Sequence, residues 1–409
     1  MNRKYMIDTE ENRAFLREQA EILLNFGHRF PSETGASYFL GDDGTPWTDR
    51  PRETWITCRM AHVYGIGAAL GHKGSEELID KAVNGLLTAL KDNEYGGWYP
   101  GINPDGTKMK EKQAYAHAFV MLAGSTAVLL NRPRGKELLE EAKRVFDEYY
   151  WNEKEGMSCD TWNTEFTELD SYRGINANMH SVEAFLAVAD ATGDEKYRIR
   201  AGRIVNRVLS FAENNNWRTP EHFSDTWIPL YDFNSDKRDD RFKPYGATPG
   251  HGIEWSRLTC QWATSSLTRE DQIPYIEKAE KLYRQAIKDG WYADGEPGIV
   301  YTTDWNGLPV VHDRMHWTLA EAINSSAVLY HLTGKKEYAE DYAMFMQYLD
   351  EKVIDHINGS WFHQLDRNNR VIGTVWPGKS DLYHAFQAML IPYYPHDVSI
   401  ASAVVRGRK

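Results

Sequence analysis

A chain of 409 residues with 42% hydrophobic content can bury a large core, and no low-complexity run argues for disorder. A formal net charge of −12, with Lys and Arg scattered, argues against nucleic acid or anionic membrane as a partner, since both reward clustered positive charge. Three widely spaced cysteines outside any metal-ligand motif, a charged N-terminal stretch without a signal-peptide core, and no apolar run near the ~18 residues of a bilayer span together read as a reduced, cytoplasmic protein.

Taken in chain order, short stretches rich in Gly and aromatic residues recur from residues 35, 96, 156, 222, 298 and 359 ("GASYFLGDDGTPW", "GGWYPGINPDGT", "GMSCDTWNTEF", "HFSDTWIPLYDFN", "GIVYTTDWNGLPV", "GSWFHQLDRNNRV"). Several are predicted hairpins around Asp-Gly or Asn-Gly turns. Between them lie two kinds of helical segment. "EELIDKAVNGLLTALKD", "RGKELLEEAKRVFDEYYW" and "IPYIEKAEKLYRQAIKDG" carry charge on one face and apolar residues at helical spacing. "ITCRMAHVYGIGAALG", "QAYAHAFVMLAGSTAVLL", "NMHSVEAFLAVADATG", "WTLAEAINSSAVLYHLTG" and "DLYHAFQAMLIPYY" are apolar on nearly all sides and must be buried. The period reads as amphipathic outer helix, short polar loop ending in Gly, apolar inner helix, then hairpin. Six such periods predict an all-α fold, an (α/α)6 barrel with short β-hairpins in its connecting loops, as one domain over residues 1–409.

The histidines follow the same phase. His62, His117, His180, His251, His316 and His384 fall one per repeat, in or just before an inner-helix segment. In two places a carboxylate follows three residues on: Glu183 after His180, and Glu254 after His251 in "YGATPGHGIEW". The Pro-Gly turn there delivers His251 to the start of a helix, where the dipole favours developing negative charge. Some of the six are expected to be structural, His62 and His117 first. Metal binding is a rival reading, although neither HExxH nor a Cys-His spacing is present. So is a glycoside hydrolase, with Glu254, Glu321 or Asp381 as its acids, and so is a non-catalytic sugar-binding barrel. Histidine rather than carboxylate recurs, and a group titrating near neutrality suits proton transfer beside a carbonyl. The 14 Trp and 23 Tyr suit either a sugar pocket or an aromatic core.

"TWITCRMAHVYG", "YGGWY", "DSYRGINANMHSVEAFL", "RFKPYGATPGHGIEWSRL" and "DLYHAF" together resemble the N-acylglucosamine 2-epimerase superfamily, most closely its bacterial aldose–ketose isomerase branch, from about residue 45 to 395. The resemblance implies a sugar isomerisation without metal or other cofactor, its only partner a small sugar: D-mannose to D-fructose through a cis-enediolate, with sulfoquinovose isomerisation or 2-epimerisation as alternatives. It implies His384 as the base and acid at C2 and His251 as its partner. Glu254 and Glu321 are implied to hold those imidazoles, Arg59, Asn176 and His180 to bind sugar oxygens, and Trp317 and Trp376 to shape an apolar wall. Members acting on sulfosugars have glutamines where this chain has His363 and Ser380, and Arg241 is a further candidate for an anionic substituent.

Overall fold

A computed structural model describes residues 2–407. It contains thirteen α-helices among those residues, and strands of only two or three residues. The helices are α1 (Glu10–Gly27), α2 (Thr54–Leu70), α3 (Ser75–Leu87), α4 (Ala114–Leu129), α5 (Gly135–Val145), α6 (Ile175–Thr192) and α7 (Lys196–Glu213). They continue with α8 (Pro249–Ser266), α9 (Arg269–Gly290), α10 (His316–Thr333), α11 (Lys336–Tyr348), α12 (Tyr383–Ala388) and α13 (Ile400–Gly407). No helix among the described residues is long and apolar enough to cross a membrane.

The expected contrast between inner and outer helices follows from composition. In α2 every residue from Thr54 to Ala69 is buried, whereas α3 buries only one face and begins with Glu76 and Glu77 where the helix dipole favours acids. The order within a repeat differs from the sequence expectation. The short Gly-bearing loop follows the inner helix, and the hairpin lies between an outer helix and the next inner one. Gly71, Gly193 and Gly334 show why: each ends an inner helix in the left-handed conformation that glycine adopts without Cβ strain, so the chain reverses at once into the outer partner.

The chain groups into two compact units. The first comprises Met1–Leu23, Val205–Lys379 and His384–Asp397. Here α8 packs on α9 and α10, and α10 on α11. The strand entering α10 (Arg314, Met315) pairs with Leu365 and Gln364 of the following hairpin, and Ala247, just before α8, bridges to Thr303. The second unit comprises Leu24–Ile204, Ser380–Tyr383 and Val398–Lys409. In it α2, α4 and α6 pack side by side, and α13, which the sequence pattern did not predict, sits on all three. Arg52 and Glu53, entering α2, pair with Ile102 and Gly101, while Lys112 and Gln113, entering α4, pair with Trp162 and Thr161. In both units, then, the strand that leads into an inner helix is held by the hairpin of the next repeat.

A buried ion pair anchors the base of several hairpins. Lys112 donates to Asp92 (2.7 Å) and to the Gly96 carbonyl (2.6 Å), while the other Asp92 oxygen accepts the Glu94 and Tyr95 amides. Lys379 repeats the arrangement on Asp355 and the Gly359 carbonyl, with Ile357 and Asn358 as the amide donors. Arg314 does so bidentately on Asp294, at 2.9 and 2.7 Å. Each charge is matched within its own loop, so burial leaves none uncompensated.

Candidate active site

In the first unit, α8 opens at Pro249, with Thr248 as its N-cap and proline at a position that has no amide to satisfy. His251 therefore lies in the first turn and Glu254 one turn further on. Gly250 lets the Trp317 indole lie against this turn: a Cβ there would come within 2.7–2.8 Å of the ring. The Trp317 ring, from the start of α10, packs against both imidazoles, with centroids 5.0 Å from His251 and 5.9 Å from His384. His384 is the second residue of α12.

Each imidazole is tied through Nδ1 to a buried carboxylate. His384 Nδ1 donates to Glu321 Oε1 at 3.1 Å, and His251 Nδ1 donates to Glu221 Oε2 at 2.8 Å. A carboxylate only accepts, so Nδ1 carries the proton in both rings. Arg257, one turn after Glu254, donates to Glu321 Oε2 at 2.7 Å and to Glu254 Oε1 at 3.4 Å. Burial pushes the Glu321 carboxyl up, but the Arg257 guanidinium and the His384 hydrogen bond outweigh it and hold it below the usual carboxylate range. Glu254 thus faces Arg257, and the carboxylate on His251 is Glu221. Sequence reasoning missed both Glu221 and Arg257. The second had a signal, the i,i+3 spacing from Glu254; Glu221 had none, because no spacing rule links it to the start of α8.

Glu254, Glu321 and His384 offer donor atoms within 4.8 Å of one another, a spacing that a cation can use. Both carboxylates are already bonded to Arg257, whose fixed positive charge opposes a second cation at that place. His316 lies nearby, its ring 6.4 Å from His384, and its Nδ1 donates to the His363 carbonyl at 3.3 Å. Trp376 is half-buried beneath the Arg241 guanidinium, 4.3 Å from the ring centroid, with its amide held by Gln364 Oε1 at 2.9 Å.

In the second unit, Arg59 is buried and donates to Asp381 at 2.5 Å and to the Tyr115 hydroxyl at 2.9 Å. Phe119, Tyr383 and Trp55 rings surround it at 4.5, 4.8 and 4.9 Å. Its charge is therefore matched by Asp381. Tyr383 donates to Glu183, whose carboxylate lies 3.7 Å from His180 Nδ1. The His180 ring packs on Phe119 at 4.6 Å. Asn176, at the start of α6, is half-buried, and its Oδ1 has no hydrogen-bond partner among the described residues.

His117 sits apart from these groups, whereas His62 lies behind them, its ring 5.8 Å from that of Tyr383. His117 Nδ1 donates to the Gln113 carbonyl at 2.8 Å and its Nε2 accepts the Trp98 amide at 3.1 Å, so both nitrogens serve the fold. Burial pushes its imidazole down to about 3, and that of His62, bonded to Thr126, to about 4. The sequence-predicted residues thus fall into two groups: His251, Glu254, Trp317, Glu321, Trp376 and His384 in one unit, and Arg59, Asn176 and His180 in the other.

Two histidine–carboxylate dyads beside one tryptophan form a proton-transfer arrangement, and comparison with known proteins puts it in a family. The chain is 39% identical to a D-mannose isomerase from Pseudomonas cannabina pv. alisalensis, covering 95% of this chain and 94% of that one. It is 37% identical to a D-mannose isomerase from Thermobifida fusca, over 96% and 97% of the two chains. A D-mannose isomerase crystal structure aligns with a TM-score of 0.85 at 25% identity, covering 92% of this chain and 96% of that one, which places the fold in the (α/α)6 class. The N-acylglucosamine 2-epimerase (GlcNAc 2-epimerase) model matches residues 35–388, across both compact units, and the chain belongs to that family.

Proposed function

We propose that the protein is an aldose–ketose isomerase of free hexoses, interconverting D-mannose and D-fructose without a metal or other cofactor. The observation that carries the reading is the pair of imidazoles on Trp317, each with Nδ1 committed to its own carboxylate. The names of the relatives at 37–39% identity support the substrate.

Proton accounting works with two such groups. In the open-chain aldose, C1=O acidifies the C2 proton, and His384 Nε2 removes it. The C2–H electrons form C1=C2, and O1 takes a proton from His251, giving the enediol. His251 then accepts the O2 proton as C2=O forms, and His384 returns its proton to C1. Both rings end as they began. Return of the carbon proton to the opposite face of C2 would give the epimer instead. In this scheme Trp317 and Trp376 supply apolar wall beside the imidazoles.

Glycoside hydrolysis needs a carboxylic acid that keeps its proton. Glu321, which the Arg257 guanidinium and the His384 hydrogen bond hold below the usual carboxylate range against burial, does not meet that need, and Glu254 and Asp381 are each ion-paired to an arginine. We read residues 1–409 as a single isomerase domain, supported by the family match that runs through both compact units. We place it in the cytoplasm, supported by three cysteines that are free and buried.

Incubation with D-mannose in D2O tests the reading. Isomerisation yields fructose carrying deuterium at C1 to the extent that the transferred proton exchanges. Glucose labelled at C2 with little fructose points to an epimerase, and unchanged mannose sinks the isomerase assignment.

A further inference from the structure

The turn that carries Trp376 hangs on one side chain. Gln364 is buried in the strand Gln364–Leu365, and its amide uses all four of its hydrogen-bonding positions. Oε1 accepts the Val375 amide at 2.8 Å and the Trp376 amide at 2.9 Å. Backbone amides only donate, so these two contacts fix which end of the side chain is oxygen. Nε2 then donates to Asp313 Oδ2 at 2.6 Å and to Thr374 Oγ1 at 2.9 Å.

The main chain of the same residue is tied to the start of α10. Gln364 pairs with Met315 across the strands, and the His363 carbonyl beside it accepts the His316 amide at 3.0 Å. Met315 is the N-cap of α10, and Trp317 is the second residue of that helix. One residue therefore joins the Trp317 turn through its backbone and the Trp376 turn through its side chain. The Trp376 indole is held by a different loop, with the Arg241 guanidinium 4.3 Å from its centroid and the Phe242 ring edge-on at 5.6 Å.

We propose that Gln364 is a positioning residue for the sugar site: it sets Trp376 at a fixed place relative to Trp317, and Asp313 is the acceptor that anchors the far end of its amide. The inference rests on the isomerase reading for what the two rings touch, and on the hydrogen bonds alone for the clamp. An apolar wall contacts the sugar equally in the ground and transition states, so it acts on KM and leaves kcat nearly alone. That separates Gln364 from the residues that move protons.

Gln364→Glu tests it, because the variant keeps the size and one acceptor but sets its second oxygen against Asp313 Oδ2. Two carboxylates in that contact repel, so the side chain should leave its place and release both amides. Adding Asp313→Asn to Gln364→Glu puts a donor opposite the new carboxylate and should restore the clamp. Hydrogen exchange at the Val375 and Trp376 amides of the ligand-free protein reads the clamp directly. It should be slow in the parent, fast in Gln364→Glu and slow again in the double variant. With D-mannose, KM should rise about tenfold in Gln364→Glu while kcat stays within about threefold, and the double variant should recover KM. In a Trp376→Ala background Gln364→Glu should add nothing to KM, because the ring it places is gone. A KM loss that persists in that background overturns the proposal, as does exchange that Asp313→Asn fails to slow. So does an unchanged KM once the amides exchange freely. A parent that shows the exchange pattern but makes no fructose refutes the isomerase reading alone.

Discussion

Glu321→Gln is the sharpest probe of the His384 dyad. The glutamine is nearly isosteric but presents one acceptor and one donor where the carboxylate presents two acceptors. Arg257 Nε, at 2.7 Å and fully charged, holds the stronger claim on the carbonyl oxygen than the His384 ring at 3.1 Å. The amide NH2 then faces His384 Nδ1, which must become an acceptor. The ring proton moves to Nε2, and the base that should take the C2 proton is blocked. Loss of a correctly placed general base costs ~10²–10⁴-fold, or about 3–5 kcal/mol of barrier. Since Glu321 is buried behind the imidazole, KM should change by no more than about threefold. Burying one imperfect hydrogen bond should lower stability by about 1–3 kcal/mol. Fructose formation from D-mannose gives kcat and KM, and calorimetry confirms the fold. A folded variant within tenfold of the parent kcat refutes the tautomer argument and with it the role of Glu321.

The remaining expectations are simpler. His384→Ala should abolish turnover while sugar binding persists, whereas His117→Ala should leave kcat within a few-fold and cost about 1–3 kcal/mol of stability, because the Trp98 amide loses its acceptor; melting curves beside kinetics separate the two. Activity should survive exhaustive EDTA treatment, since Arg257 already neutralises the carboxylates that a cation would need. Loss that Mn²⁺, Zn²⁺ or Co²⁺ reverses would place an ion at Glu254, Glu321 and His384. Finally, kcat/KM for mannose should exceed that for sulfoquinovose by at least about tenfold, or 1.4 kcal/mol. Ser380 accepts the Leu40 amide at 2.8 Å and donates to the Leu40 carbonyl at 3.4 Å, and His363 Nδ1 donates to the Gly378 carbonyl at 2.5 Å, so both side-chain protons are already committed to backbone rather than to a sulfonate. Side-by-side kinetics decide it, and a preference for the sulfosugar refutes the substrate assignment.

Periodicity carried the fold because an inner helix has no polar face to hide: α2, α4 and α10 are legible as buried from composition alone. The phase of six histidines survives in the structure, one in each of α2, α4, α6, α8, α10 and α12. What failed was connectivity. The Gly-bearing loop is expected from the sequence before the inner helix, whereas Gly71, Gly193 and Gly334 end that helix in the left-handed conformation and the loop follows it. α13 was missed because "IASAVVRG" is too short to show a period and is fixed only by the helices beneath it. Glu221 could not be paired with His251 from sequence, since a long and largely irregular stretch separates them and no spacing rule links a loop carboxylate to a helix start. Hydrogen-bond partners across loops are three-dimensional facts; helix faces are one-dimensional ones.

The buried pairs Asp92–Lys112, Asp294–Arg314 and Asp355–Lys379 each bracket one hairpin, closing the loop at its root. A root fixed in this way separates two tasks that loops usually combine. The outer part of the hairpin can lengthen, shorten or change composition without disturbing the inner helix that follows, because the strain of a new tip stops at the ion pair. That is a mechanism by which hairpin tips can diverge while the inner helices, and the imidazoles on them, stay in register. Grafting a hairpin tip between relatives should accordingly succeed when the cut is made inside the Asp–cation bracket and fail when it is made outside.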